Sequence, residues 1–275
     1  MNYSLYIKQL NKDTETIWRE TLGSASEYAY KRAFDDEVEI DFWKSHSKIY
    51  DTLPSLYDYA PETLDNIISV IGDNKSVLEI GAGTGKFTIP MSKRQKKIIA
   101  VDMSKDMLDK LDDKANNIHN IVTINSKIED IKDYKVDVIY GVNSIYRMQD
   151  IKNTIKSLMN IASEKALFVW TMQRSIYDSI LNKTDKKGIF RKQEYIHILN
   201  VLYDMGIDCN LDIKSVSKNI TIEDIGKNYN ELLGISENYD IDYDYLKKEF
   251  EKNLIDSKTY KCELKVAYIS FDVRL

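Results

Sequence analysis

Glu79, Gly81, Gly83, Gly85 and Asp102 are residues whose types and spacing fit a single chemistry. Three alternate glycines give up the Cβ atoms that would hold a ligand off the main chain, and they admit the positive φ values of a tight turn. Glu79 stands two residues before the first glycine. A carboxylate there repels phosphate but suits a bound ammonium group, directly or through water. A dinucleotide fingerprint would place Gly or Ala where Lys86 stands, and the Gly-Lys-Ser/Thr ending of a P-loop is absent. Asp102 closes the next apolar run, where an acid can accept from both hydroxyls of a ribose. The pattern therefore calls for a zwitterionic or cationic ligand that carries a nucleoside.

Positioning these residues requires a strand, a turn and a helix, twice over. Ser76 to Ile80 is a short apolar run ending at Gly81, as expected of a strand buried in a parallel sheet. Lys97 to Asp102 repeats the pattern, and Ser104 is placed to cap a helix over Lys105 to Leu111. Taken alone, Asp102 reads equally as a helix-terminal acid and Glu79 as an ion-pair partner. Their joint placement at the ends of adjacent strands is the specific feature, because ligands of open α/β sheets bind there. Further strands are expected within Asn120 to Ile131 and Val136 to Asp150, each together with the segment that follows it, and at Lys165 to Thr171, Asp208 to Val216 and Cys262 to Val273. Helices are expected over Ile151 to Ala162 and Gln193 to Met205. Ahead of the first strand, Glu15 to Leu22 and Tyr28 to Phe34 have helical spacing, Asp41 to Asp51 is rich in aromatics, and Pro61 suits the first turn of a helix through Ile71. The expected fold class is α/β, a doubly wound and mostly parallel sheet. Residues 1–71 form a helical region integral to the fold, residues 72–275 the main domain, and residues 222–254 a helical insertion.

The Glu79-Gly81-Ala82-Gly83-Thr84-Gly85 loop with Asp102 after the second strand resembles the class I S-adenosylmethionine-dependent methyltransferases. That resemblance implies a seven-stranded Rossmann-like sheet, with S-adenosylmethionine as cofactor and S-adenosylhomocysteine as product. The glycine loop with Glu79 and Ala82 would hold the methionine part and Asp102 the ribose, with further contacts from Met103, Ile128, Glu129 and Asn143. Trp43 with Tyr50-Asp51 resembles the helix that closes over the cofactor in relatives, which makes Tyr50 a lid contact and residues 1–71 a lid region. Lys127 departs from the pattern: relatives often have an acid there, so the adenine would rely on backbone contacts near Ile128. Tyr146 and Arg147 stand where many relatives have paired histidines. With His46 they are the catalytic candidates, none of them carried by a motif. The Asn/Asp-Pro-Pro-Tyr/Phe signature of amino-directed nucleic-acid enzymes is missing from Asn143-Ser144-Ile145-Tyr146.

Composition bounds the partners. The chain has 275 residues, 43% of them hydrophobic, which is enough for one large domain with a lid. A net charge of −5 provides no global basic field, so nucleic acid is disfavoured and a small-molecule acceptor favoured. Cys209 and Cys262 have no zinc-like spacing and read as buried apolar residues, and His46, His119 and His197 show no metal-ligand spacing. No stretch has the length of a membrane span and the amino terminus lacks a leader pattern, so a soluble, cytoplasmic protein is expected. Lys93 to Lys97 reads as a solvated turn; Lys183 to Lys192 reads either as a solvated loop or as a basic rim that steers an anionic acceptor. Methyl transfer is a direct displacement governed by positioning, for which an amine acceptor needs no dedicated base. Two alternatives remain open at this stage: methylation of a tRNA or protein side chain, and a non-catalytic S-adenosylmethionine-binding regulatory or scaffold protein. The oligomeric state is not legible.

Overall fold

Strand register decides which side chains meet at the glycine loop. The computed structural model describes residues 12–22, 27–48, 50–51, 60–174, 194–221 and 254–274, with positions 248, 251 and 252 between the last two segments. Four helices precede the sheet: α1 (Thr14–Thr21), α2 (Glu27–Phe34), α3 (Asp36–Ser47) and α4 (Ala60–Ile71). Then follow β1 (Ser76–Ile80), α5 (Thr88–Ser92), β2 (Lys97–Asp102), α6 (Lys105–Lys114), β3 (Ile121–Asn125), a 3₁₀ turn at Ile128–Asp130, β4 (Val136–Val142), α7 (Ile151–Ile161), β5 (Ala162–Arg174), α8 (Glu194–Asp204), β6 (Asn210–Thr221) and β7 (Thr259–Asp272).

The seven strands form one sheet in the order β3-β2-β1-β4-β5-β7-β6. β3, β2, β1, β4 and β5 pair in parallel, while β7 runs antiparallel to both β5 and β6. The chain moves outward from β1 through β2 to β3, then returns to place β4 on the other side of β1. That reversal opens a crevice at the carboxyl ends of β1 and β4, the position where doubly wound sheets take ligands. Glu79 pairs with Ala100 of β2 and Tyr140 of β4, and Ile80 pairs with Gly141.

Alternation along the strands builds a core on each face. Leu78, Ile80, Ile139 and Phe168 pack with Trp18 of α1, Ile155 of α7 and Val201 of α8. Val77, Ile98, Tyr140 and Leu167 pack with Ile67 and Ile71 of α4 and Met91 of α5. Trp18 is 1% exposed, and its indole donates to the Met148 carbonyl at 2.6 Å, tying α1 to the segment after β4.

The four basic residues of the Lys93 to Lys97 run are exposed, as expected of a solvated turn, and Gln95 is the exception. Gln95, inside the run read as a solvated turn, is buried; its side-chain oxygen accepts from the Lys75 N–H and its amide donates to the Gly72 carbonyl. A short side-chain amide satisfies two backbone groups there, which charge patterning does not reveal. The strands β6 and β7 run longer than expected, because their ladder continues through Ser217↔Glu263 to Thr221↔Thr259, and β5 follows β7 out to Arg174↔Leu264. Backbone hydrogen bonds carry that extension, and its polar side chains give no buried-strand pattern. The insertion expected at residues 222–254 and the basic run at residues 183–192 lie almost wholly outside the described residues.

Candidate cofactor site

The glycine loop turns sharply because three of its residues are left-handed: φ is 68° at Gly81, 55° at Gly83 and 86° at Gly85. The Gly81 and Ala82 N–H groups donate to the Val101 carbonyl at 2.8 and 3.0 Å, pinning the turn to β2. The glycines have different jobs. A Cβ on Gly85 would lie 2.4 Å from Leu111 Cδ1, so Gly85 allows α6 to pack close. A Cβ on Gly81 would lie 2.5 Å from Ser144 Cβ, so Gly81 makes room for the segment after β4. Gly83 is the open one, with Met107 Cε the nearest neighbour at 3.4 Å.

Asp102 holds this loop in place. Its Oδ2 accepts from the Gly83 N–H at 2.9 Å and its Oδ1 from the Ser104 N–H at 2.8 Å. Burial pushes the carboxyl's pKa up, and the two backbone donors pull against that shift by favouring the ionised form. Ser104 caps α6 as expected. Beneath the loop, Glu79 is 2% exposed and accepts from Thr88 Oγ1 at 2.6 Å. Burial raises its pKa to about 7 against the opposing pull of the Thr88 and Tyr140 hydroxyls. The Tyr140 hydroxyl is itself buried beside Glu79 without a well-formed hydrogen bond, and burial together with the Glu79 charge drives its pKa well above the ordinary tyrosine value.

A cavity of about 470 Å³ opens above these residues. Of the positions marked in the sequence, Tyr50, Glu79, Gly81, Ala82, Gly83, Asp102, Met103, Ile128, Glu129, Asn143, Tyr146 and Arg147 line it. Gly85 and His46 stand outside that lining: Gly85 packs on α6, and His46 stacks on Phe42 at 3.8 Å with its Nδ1 2.9 Å from the Phe42 carbonyl. Asn143 has φ 51°, and its side chain bonds both the hydroxyl and the N–H of Thr171, at 2.9 and 2.8 Å. It thereby fixes the direction in which the chain leaves β4.

Helix α3 lies across the cavity as a strap. Glu39 is 0% exposed and gathers the donors around it: Arg32 Nε at 2.7 Å, Trp43 Nε1 at 2.8 Å and the Tyr146 hydroxyl. Tyr146 loses its proton far less readily than an ordinary tyrosine, through burial first and the Glu39 charge second. At the start of the strap, Asp36 is ion-paired with Lys127 and with Arg147. At its far end, Asp51 accepts from Thr84 Oγ1 at 2.8 Å and pairs with Lys114 at 2.6 Å. Trp43 and Tyr50 meet edge to face at 5.9 Å. Glu39, Asp36, Thr88 and Ser144 were not singled out by the sequence reading. Only Ser144 carried a signal, through its place next to Asn143 after a buried strand.

A family model described as a methyltransferase domain matches residues 77–164. An uncharacterized protein of Haemophilus influenzae is 27% identical over 143 residues, covering 50% of this chain and 53% of that one. Phosphoethanolamine N-methyltransferase 1 of Triticum aestivum is 26% identical over 117 residues, 38% of this chain and 24% of the relative. The chain thus spans about half the length of the first relative and a quarter of the second. Among solved structures, the YcgJ protein of Bacillus subtilis superposes with a TM-score of 0.54 at 15% identity, covering 77% of this chain and 97% of that one. A DhpI complex with S-adenosylhomocysteine superposes with a TM-score of 0.52 at 14% identity, covering 85% and 95%. These superpositions show a Rossmann-like fold. Residues 77–164 thus match a methyltransferase domain, within a fold similar to that of S-adenosylmethionine-dependent methyltransferases.

The residues present suit that cofactor. A buried carboxylate stands at the glycine-loop end, an acid follows the second strand, and the lining residue Ser144 has a buried Oγ with no hydrogen-bond partner among the described residues. Among the described residues no group of His, Cys, Asp and Glu is placed to hold a metal ion, and no helix is long and apolar enough to cross a membrane.

Proposed function

We propose that this protein transfers a methyl group from S-adenosylmethionine to a small-molecule acceptor. The observation that carries the proposal is that Glu79, Asp102 and the open Gly83 turn face one cavity lying under the α3 strap. When bound, the cofactor supplies an electrophilic methyl group on a sulfonium, which is displaced directly. In this reading Glu79 takes the ammonium of the methionine part, Asp102 the ribose hydroxyls, and Met103 and Ile128 flank the adenine. Trp43, Tyr50 and Tyr146 wall the acceptor side and keep water out. Tyr146 acts by position: its proton is held toward Glu39, so it offers an incoming group an acceptor lone pair rather than a base. Arg147 is engaged by Asp36, and its role is likewise electrostatic.

The lining favours an ammonium-bearing or amine acceptor, because carboxylates outnumber basic groups there. The relative from Triticum aestivum is named for phosphoethanolamine, which supports the same class. Nucleic acid is disfavoured by that charge, and a cytoplasmic setting belongs to the same reading. Calorimetric titration with S-adenosylmethionine and S-adenosylhomocysteine tests the cofactor, and transfer of labelled methyl to ethanolamine, phosphoethanolamine and their hydroxyl analogues tests the acceptor. Micromolar binding with amine turnover supports the proposal. Binding without turnover of any acceptor favours a regulatory protein, turnover of tRNA or protein side chains alone favours the macromolecular alternative, and absence of binding overturns the whole reading.

A further inference from the structure

We propose that Trp43, Tyr50 and Tyr146 form an aromatic seat for a methylated ammonium, which makes alkylated amines the acceptors of this site and a quaternary ammonium its final product. The inference rests on the methyl-transfer reading above and narrows its acceptor. All three rings line the one cavity. Trp43 and Tyr50 stand 5.9 Å apart with their planes at 74°, which makes a corner rather than a flat wall. The Trp43 indole nitrogen lies 2.8 Å from Glu39 Oε1 and 3.3 Å from the Tyr146 hydroxyl, so the third ring is joined to the same corner. Tyr50 is 42% exposed, which leaves apolar area there for a ligand to cover.

The hydrogen bonds already made around the corner decide which cation fits. Of the α3 carboxylates that line the cavity, Glu39 accepts from Arg32, Trp43 and Tyr146, and Asp36 is divided between Lys127 and Arg147. A primary ammonium brings three N–H donors and finds the acceptors of the strap taken. A quaternary ammonium brings no donor and needs only surfaces that favour its charge, which aromatic rings supply. The strap already uses its rings in this way: the Arg32 guanidinium lies 3.3 Å over Phe42 and 5.7 Å from the Trp43 ring centre. Transfer places the charge where such rings help. As the lone pair of an amine forms the new N–C bond, the S–C bond of the sulfonium breaks, its electron pair stays on sulfur as a neutral thioether, and positive charge appears on nitrogen. A primary or secondary amine then sheds a proton to solvent, whereas a tertiary amine has none to shed and keeps the charge.

The test is calorimetry at saturating S-adenosylhomocysteine with three probes: choline, its neutral isostere 3,3-dimethylbutan-1-ol, and ethanolamine. The wild-type chain is expected to bind choline about tenfold tighter than either of the others. Trp43→Leu and Trp43→Phe both lose the N–H bonded to Glu39, but only the second keeps an aromatic ring. Trp43→Leu should therefore lose about tenfold on choline and hold the isostere within about threefold, while Trp43→Phe stays within about threefold of wild type on both. Choline bound no tighter than the isostere or ethanolamine, not bound at all, or weakened equally by the two variants overturns the seat while leaving the cofactor reading intact. A wild-type chain that does not bind S-adenosylhomocysteine overturns both.

Discussion

Glu79 should make this protein less stable as the pH rises toward neutrality, in a way that a single substitution can isolate. Burial lifts its pKa from 4.5 to about 7, a difference equivalent to about 3 kcal/mol between its two protonation states. The sign follows from which state releases the proton first. Below pH 4.5 the carboxyl is protonated in both folded and unfolded chains, and stability is unaffected. As the pH rises from there toward 7, the unfolded chain ionises while the folded one resists, so stability is lost, and the loss is complete above the folded pKa. Glu79→Gln cannot ionise and escapes that loss. Urea unfolding of both proteins between pH 4.5 and 8 should show the stability gap moving toward the variant by up to about 3 kcal/mol across that window. The cofactor should reverse the preference, because an ammonium beside Glu79 stabilises its charged form. Wild-type binding should then strengthen up to about pH 7 and release a proton, while the variant binds more weakly with neither effect. A stability gap that stays flat with pH would refute the buried, hard-to-ionise carboxylate, and with it this account of the glycine-loop end.

Asp102→Ala removes the acceptor for the Gly83 and Ser104 N–H groups as well as the group proposed to hold the ribose, and calorimetry should show S-adenosylmethionine affinity falling roughly 10- to 100-fold. Gly85→Ala sets a Cβ 2.4 Å from Leu111 at φ +86°; denaturant unfolding should register a loss of about 2–4 kcal/mol from strain and overpacking. Gly83→Ala should cost less stability and more ligand affinity, since its nearest neighbour is 3.4 Å away and its turn faces the cavity. Glu39→Ala leaves Arg32, Trp43 and Tyr146 without their common acceptor, and should destabilise the chain by about 3–5 kcal/mol in the same unfolding assay. Lys114→Met breaks a half-exposed pair with Asp51, so it should change stability by less than about 1 kcal/mol. Stopped-flow measurements should nonetheless show faster S-adenosylhomocysteine release, if that end of the strap gates the cavity.

The parts of the site legible in the sequence are those that depend on neighbours along the chain. A glycine that must adopt positive φ, an acid at the end of an apolar run and a serine before a helix are local facts: Gly81 takes the positive φ and Ser104 the helix cap that their spacing implies, and Asp102 closes β2 between them. Gly85 shows the limit of that reading, because spacing alone groups it with the ligand-facing glycines while its missing Cβ serves Leu111. Contacts between distant segments left no pattern to find. Glu39 sits on a helix crowded with acids, and nothing local distinguishes it from Asp36 or Glu37 until Tyr146 is brought against it. Likewise Ser144 is an ordinary serine until Gly81 and Gly141 are seen to flank it.

The strap explains why Lys127 is tolerable where relatives often place an acid. Its ammonium is neutralised by Asp36, which arrives from the opposite wall and is shared with Arg147. A lysine left alone at that position would set a positive charge against a cationic cofactor; paired, it becomes a fastening point for α3. The fastening at the other end has the same logic, with Asp51 set between Thr84 of the glycine loop and Lys114 of α6. Both pairs are partly exposed and individually weak. Their joint effect is to hold α3 over a cavity in which the bonds to Glu39 strengthen as water is excluded, while the same exclusion makes Glu79 harder to ionise. Raised ionic strength should therefore loosen the strap before it unfolds the sheet, and limited proteolysis across a salt series should cut near α3 first. Cleavage that begins within the sheet at every salt concentration would show that the strap is held by its apolar packing rather than by these charges.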